Sequence, residues 1–143
     1  MSHMARIQLE VKDLSAMERA CKRLGFKLIR GQKTYAWYGK FMNDTELPDG
    51  LDVTKLGTCE HAISVPGAKY EVGLIKARSG SGYELIWDYW CDGGLVPKIG
   101  KDAGKLKQAY TIEKAKMECI RKGYSVREKN IDGKIQLIAE VRR

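Results

Sequence analysis

Tyr70-Glu71-Val72-Gly73-Leu74-Ile75-Lys76-Ala77-Arg78 and Tyr83-Glu84-Leu85-Ile86-Trp87-Asp88-Tyr89-Trp90 are joined by Ser79-Gly80-Ser81-Gly82. Each limb is rich in β-branched and aromatic residues, which suit a pleated, half-buried surface, and the Gly/Ser link supplies the reversal. The pair reads as the central hairpin of a mainly antiparallel sheet. Downstream, Asp92-Gly93-Gly94 breaks the sheet, and Pro97 and Gly100 keep the next segment irregular. A helix is predicted from about Ala103 to Lys122. Its inward face is Ala109, Ile112, Ala115 and Cys119, with Leu106 and Tyr110 alongside, and Gly123 is its stop. Tyr124–Lys129 and Lys134–Val141 close the chain as a hairpin around Asn130-Ile131-Asp132-Gly133.

Upstream, Arg6 to Lys12 alternates, with Ile7, Leu9 and Val11 on one face, as a half-buried strand does. Asp13 is placed to cap a helix whose apolar stripe is Leu14, Met17, Cys21 and Leu24, ending at Gly25. Phe26–Ile29 and Thr34–Phe41 read as further strands, Tyr35 and Trp37 sharing a face. The chain then turns polar and turn-rich, a long surface excursion over about residues 42–67. Cys21-Lys22-Arg23-Leu24-Gly25-Phe26 echoes Cys119-Ile120-Arg121-Lys122-Gly123-Tyr124. The echo fits either the common form of helix–Gly–strand junctions or a duplicated half. The expected architecture is one α+β domain over residues 1–143, a sheet of five to seven strands with two helices on one face.

At 143 residues, 43% hydrophobic and 31% charged, the composition excludes a disordered tail, a fibrous repeat and a membrane protein. No apolar run approaches the roughly 18–20 residues of a membrane span, and Met1-Ser2-His3-Met4-Ala5-Arg6 lacks a secretory apolar segment. A cytoplasmic location is therefore expected, with Cys21, Cys59, Cys91 and Cys119 as reduced thiols.

Signals for chemistry are weak. Cys59-Glu60-His61 offers one close Cys/His pair where structural zinc needs two, so no metal is expected. His61 is the only histidine within the body of the chain and Cys59 the nearest thiol, but the strand–turn–helix setting of a nucleophile elbow is missing. Glu84 and Asp88 share a strand face, as carboxylates that satisfy nearby Lys or Arg also do. Gly80-Ser81-Gly82 and Gly93-Gly94 match no phosphate loop. No catalytic residue and no cofactor is expected. The enzyme or ligand-binding alternative places its site near Cys59, His61, Trp87 and Asp88.

Charge is more informative. The net charge is +8, and it is uneven: residues 1–50 carry +3, residues 51–100 carry −1 and residues 101–143 carry +6. Lys107, Lys114 and Arg121 recur every seven positions and drift only about 20° per step, which aligns them along the second helix. Lys101, Lys105, Lys122 and the terminal Arg142-Arg143 extend the positive end. Such a stripe suits a polyanion, whose counterions are released on binding. It also suits a solvated face in which Glu118 partners Lys114. Tyr35, Trp37, Trp87, Tyr89 and Trp90 populate both faces of the sheet, whereas the helices cover one. The second face is then either an exposed stacking or contact surface or a core beneath the excursion.

Ile7-x-Leu9-x-Val11-Lys12-Asp13, Leu24-Gly25-Phe26, Gly82-Tyr83-Glu84-Leu85-Ile86, Asp88-Tyr89-Trp90 and the Tyr110-to-Tyr124 segment resemble the hypothetical chloroplast reading frame 35 family (domain of unknown function 1257). About two thirds of the chain is covered. The segment from Phe41 to Gly67 is longer than in that family, and the charge is more basic. The resemblance implies a native Met-Ser-His start, a plastid stroma or bacterial cytoplasm, and an accessory or assembly role in a larger complex. It implies no activity and no catalytic residue. The residues themselves point to a non-enzymatic binding or adaptor module, with nucleic acid or an acidic protein as partner and no membrane. They are silent on oligomeric state.

Overall fold

The computed structural model describes residues 2–42, 47–48 and 50–141, with backbone alone at Gln8. The turn signals at Asn43-Asp44 and Asp49 and the terminal Arg142-Arg143 lie outside the described residues. In chain order the elements are β1 (Met4–Val11), α1 (Leu14–Leu24), β2 (Lys27–Arg30), β3 (His61–Ser64), β4 (Val72–Lys76), β5 (Tyr83–Asp88), the one-turn α2 (Val96–Ile99), α3 (Gly104–Arg121), β6 (Tyr124–Ile131) and β7 (Lys134–Val141). The fold is α+β. Five strands form an antiparallel sheet in the order β1-β5-β4-β3-β2, and β6 and β7 form a separate ribbon. The chain meanders from β2 to β5, while α1 carries it across one face from the first edge strand to the other.

Local chemistry sets the ends of α1. The Asp13 carboxylate accepts from Ala16 N–H at 3.0 Å, and Gly25 takes the left-handed conformation (φ 81°) that stops the helix. Ala16, Met17, Ala20 and Cys21 are fully buried against Val11, Ile63, Val72, Leu74, Leu85 and Trp87 of the sheet and Leu106, Ala109 and Tyr110 of α3. Removing a buried side chain the size of Met17 costs about 2–5 kcal/mol. The Tyr110 hydroxyl accepts from the amides of Lys12 (3.2 Å) and Asp13 (3.4 Å), which ties α3 to the β1–α1 corner.

Two segments differ from their sequence reading. Thr34–Phe41 is not a strand: only Thr34 bridges, to Thr58, and Tyr35 N–H donates to Gly57 O at 3.0 Å. The segment lies over the second sheet face rather than beside a strand. The Tyr35 ring presses on Gly73, where a Cβ would come within 2.6 Å of it. Conversely, the excursion does not run unbroken to residue 67, because His61–Ser64 is β3, an interior strand. Its four residues bury Ala62 on one face and Ile63 on the other, so no alternation marks them. Three leucines of the excursion turn inward. Leu47, Leu51 and Leu56 join Trp37 and Ile75 around the buried Met4, Tyr35, Cys59, Ala62 and Ile86.

The seven strands among the described residues are thus divided, five and two. The echo between the two helix–Gly–strand junctions does not extend further: β2 joins the large sheet, whereas β6 leaves for the ribbon.

Candidate anion-binding cleft

Three elements meet where β1 hands over to α1. Lys12 follows the last residue of β1, Arg30 ends β2, and Lys114 lies one turn beyond the tethered Tyr110. With Arg121 and Tyr83 they line a cleft of about 580 Å³ at the N-terminus of α1, alongside the acidic Asp13 and Glu118. Four cations face two carboxylates, and Asp13 is engaged in capping. The first-turn amides of α1 add the partial positive charge of a helix N-terminus.

The cleft's cations are lightly held. Arg30 pairs with Glu18 at 3.6 Å, Lys12 with Glu10 at 3.4 Å and Arg121 with Glu118 at 3.1 Å, all on exposed side chains. Such pairs contribute about 1 kcal/mol or less each and yield readily to a competing phosphate. Glu118 therefore partners Arg121 rather than Lys114. Among the described residues Lys114 has no carboxylate at ion-pair distance, and its charge acts on Glu10.

Tyr83 is braced by His61. Gly31 N–H donates to Nδ1 at 2.9 Å, so Nδ1 is the unprotonated nitrogen, and Nε2 faces the Tyr83 hydroxyl at 3.3 Å. Partial burial, reinforced by Lys33 and Arg30, holds the imidazole pKa below its ordinary value. His61 is a neutral prop at the cleft wall.

A second basic groove, of about 450 Å³, lies between Arg19, Lys22, Arg23 and Lys116, with Glu113. Here Arg23 and Lys116 are already engaged by Glu128, at 2.6 and 2.9 Å. The sequence places the positive surface on the second helix, its flanking lysines and the C-terminal arginines, and gives no sign of Lys12, Arg19, Lys22 and Arg30. Their separation along the chain hides what α1 packing on α3 brings together. On and beside α3, Lys101, Lys105 and Lys122 are exposed and Lys107 is half-buried; Lys105 Nζ donates to Pro97 O at 3.3 Å.

The aromatic surface is corrected in part. Trp87 (2% exposed) lies in the helix-side core and Tyr35 (3%) in the second-face core, so neither offers a ring to a partner. Trp37 is half-buried in that second cluster. Tyr89 (39% exposed) and the half-buried Trp90 gather around the His3 ring, at 5.2 and 5.0 Å. They cluster beyond the Asp88 end of β5, while Tyr83 and the basic cleft occupy the other end, about 17–20 Å away for a strand of this length. The exposed Tyr89 and half-buried Trp90 thus lie apart from the basic cleft, which has Tyr83 as its aromatic residue.

Nor are Cys59, His61, Trp87 and Asp88 brought together. Cys59 lies in the second-face cluster, its thiol donating to Gln32 O at 3.2 Å, and burial pushes its pKa up to about 11. His61 meets Tyr83 on the opposite face. The fully buried Asp88 carboxylate accepts from the amides of His3 (2.8 Å), Trp90 (3.0 Å) and Tyr38 (3.2 Å). Glu84 is matched by Arg6 at 2.5 Å and Arg78 at 3.7 Å. Among the described residues no three His, Cys, Asp or Glu side chains are grouped to hold a metal ion, and no helix is long and apolar enough to cross a membrane. A further cavity, about 610 Å³, opens on the second face, with Leu51, Leu56, Ile75, Ile86 and Cys59 among its walls.

No protein-family model, curated protein or solved structure matches this chain.

Proposed function

We propose that the chain is a non-enzymatic binding module that holds the phosphate backbone of a nucleic acid along its helix layer, centred on the cleft of Lys12, Arg30, Lys114 and Arg121. The observation that carries this reading is the convergence of four weakly paired cations from three elements on a helix N-terminus. Phosphate contacts position a nucleic acid without reading its sequence, so affinity for many sequences and strong salt dependence are expected. A partner spanning four phosphates loses about a hundredfold in affinity between 50 and 200 mM salt. The exposed Lys101, Lys105 and Lys122, with Arg19 and Lys22, extend the same charge beyond the cleft. The accessory role implied by the family resemblance is compatible with such a component.

Fluorescence anisotropy with a labelled oligonucleotide tests it. Lys12→Glu/Lys114→Glu should weaken binding at least tenfold with an unchanged circular dichroism spectrum. Unchanged affinity would remove the proposal. The cavity beside Cys59 supports a second reading, a small-ligand protein, which saturable ligand binding there without oligonucleotide affinity would favour.

A further inference from the structure

The ribbon of β6 and β7 ends the described chain with both edges open: among the described residues neither strand makes a main-chain hydrogen bond to any other element. A two-stranded ribbon is marginal by itself, and α3 packs mainly along β6, which leaves β7 as the freer edge. Asp132 (φ 52°) and Gly133 (φ 78°) supply the positive φ pair of a two-residue hairpin turn. Ile131 and Lys134 are then the hydrogen-bonded pair beside the turn. Alternation directs the amides and carbonyls of Ile135, Leu137, Ala139 and Val141 outward from β7.

Edges of this kind are normally guarded by charge, proline or a bulge. β7 has none of these between its ends. Ile135-Gln136-Leu137-Ile138-Ala139 is uncharged, its pairing with β6 is regular throughout, and Val141 is 70% exposed. Only Lys134 and Glu140 carry charge, one at each end and on the same face.

We infer that β7 is a self-complementary edge through which two copies of this chain pair antiparallel, closing the two ribbons into a four-stranded sheet. With Leu137 set opposite the partner's Leu137, the outward-directed Ile135 meets the partner's Ala139, and Lys134 meets the partner's Glu140. The symmetry repeats each contact, as an isologous interface requires. Moving the centre to Gln136 sets Glu140 against the partner's Asp132. Moving it to Ile138 sets Glu140 against the partner's Gln136. Only the Leu137 register opposes unlike charges at both ends. Glu140 also holds Arg127 at 2.9 Å on that face, so the partner's Lys134 would join an existing pair.

Sedimentation velocity of the full chain over a wide concentration range tests this, with a dimer as the expected result. Ala139→Pro removes one outward amide and no ribbon hydrogen bond, a position where an edge strand accepts proline, and should give a monomer. Lys134→Glu and Glu140→Lys each place like charges at both ends and should weaken self-association about tenfold. An equimolar mixture of these two variants restores both unlike pairs and should form the heterodimer. That last arm needs no proline and holds even if Ala139→Pro fails to fold. A wild-type chain that stays monomeric overturns the inference. So does a dimer indifferent to all three substitutions, because its contact lies elsewhere.

Discussion

Asp88 and Glu84 share a strand face at a spacing that suits paired catalytic carboxylates, yet each is engaged in holding the fold. Asp88 uses both oxygens on backbone amides that pin the N-terminal segment and the residue 38 loop to β5. Asp88→Asn keeps one acceptor but turns an NH2 toward an amide donor. It should cost about 2 kcal/mol in urea unfolding, and an unchanged midpoint would deny Asp88 this role. Glu84 answers Arg6, both side chains being nearly excluded from water. Glu84→Ala should cost about 3–5 kcal/mol by stranding the guanidinium, whereas Arg6→Met/Glu84→Leu should recover most of it. Denaturation midpoints of the two variants separate these outcomes. Sequence parity placed both carboxylates on one face. Their partners, distant in sequence, were not legible in it. Likewise Cys59 and His61 are two residues apart and end on opposite faces, because Cys59 precedes β3 rather than belonging to it.

Elements with strong local chemistry were legible. The Asp13 cap, the Gly25 stop, the alternation of β1 and the Asp132-Gly133 turn each declare themselves within a few residues. Thr34–Phe41 and β3 were misread because their backbone state is decided by what covers the second face, not by their own pattern. The ribbon was legible as a hairpin, but its attachment was not. Glu128 of β6 accepts from both terminal nitrogens of Arg23 at 2.6 Å and from Lys116 at 2.9 Å, linking β6 to α1 and α3. These hydrogen bonds hold its carboxyl down at about 2, well below its ordinary value of 4.5. The folded value is the lower one, so the contribution is fully present above pH 4.5 and is lost as pH falls toward 2. Glu128→Gln should therefore loosen the ribbon near neutrality, with residues 124–141 exchanging amide hydrogens faster while the five-stranded sheet stays protected. The difference between variant and wild type should vanish as pH approaches 2. Equal ribbon protection in the two proteins at pH 7 would contradict the attachment.

Across the whole molecule, the uneven charge of the chain becomes a layered arrangement. The two long helices, α1 and α3, cover one face of the sheet, and the positive charge gathers on them and at their junction with β1 and β2. Leu47, Leu51 and Leu56 of the excursion cover part of the other face, Tyr35 and Trp87 withdraw into the cores, and Tyr89 and Trp90 lie beyond the far end of β5. The α3 stripe was legible because a seven-residue period survives in sequence. Lys12 and Arg30 joined it only through the crossover of α1 from one sheet edge to the other. The most direct test of the phosphate-binding account is the salt dependence of oligonucleotide affinity for the wild type and for Lys114→Gln, measured as log K against log salt. Phosphate binding in the cleft predicts a steep negative slope for the wild type, and a slope smaller by about one for the variant, the loss of a single phosphate contact. A flat wild-type line, or two parallel lines, would contradict it.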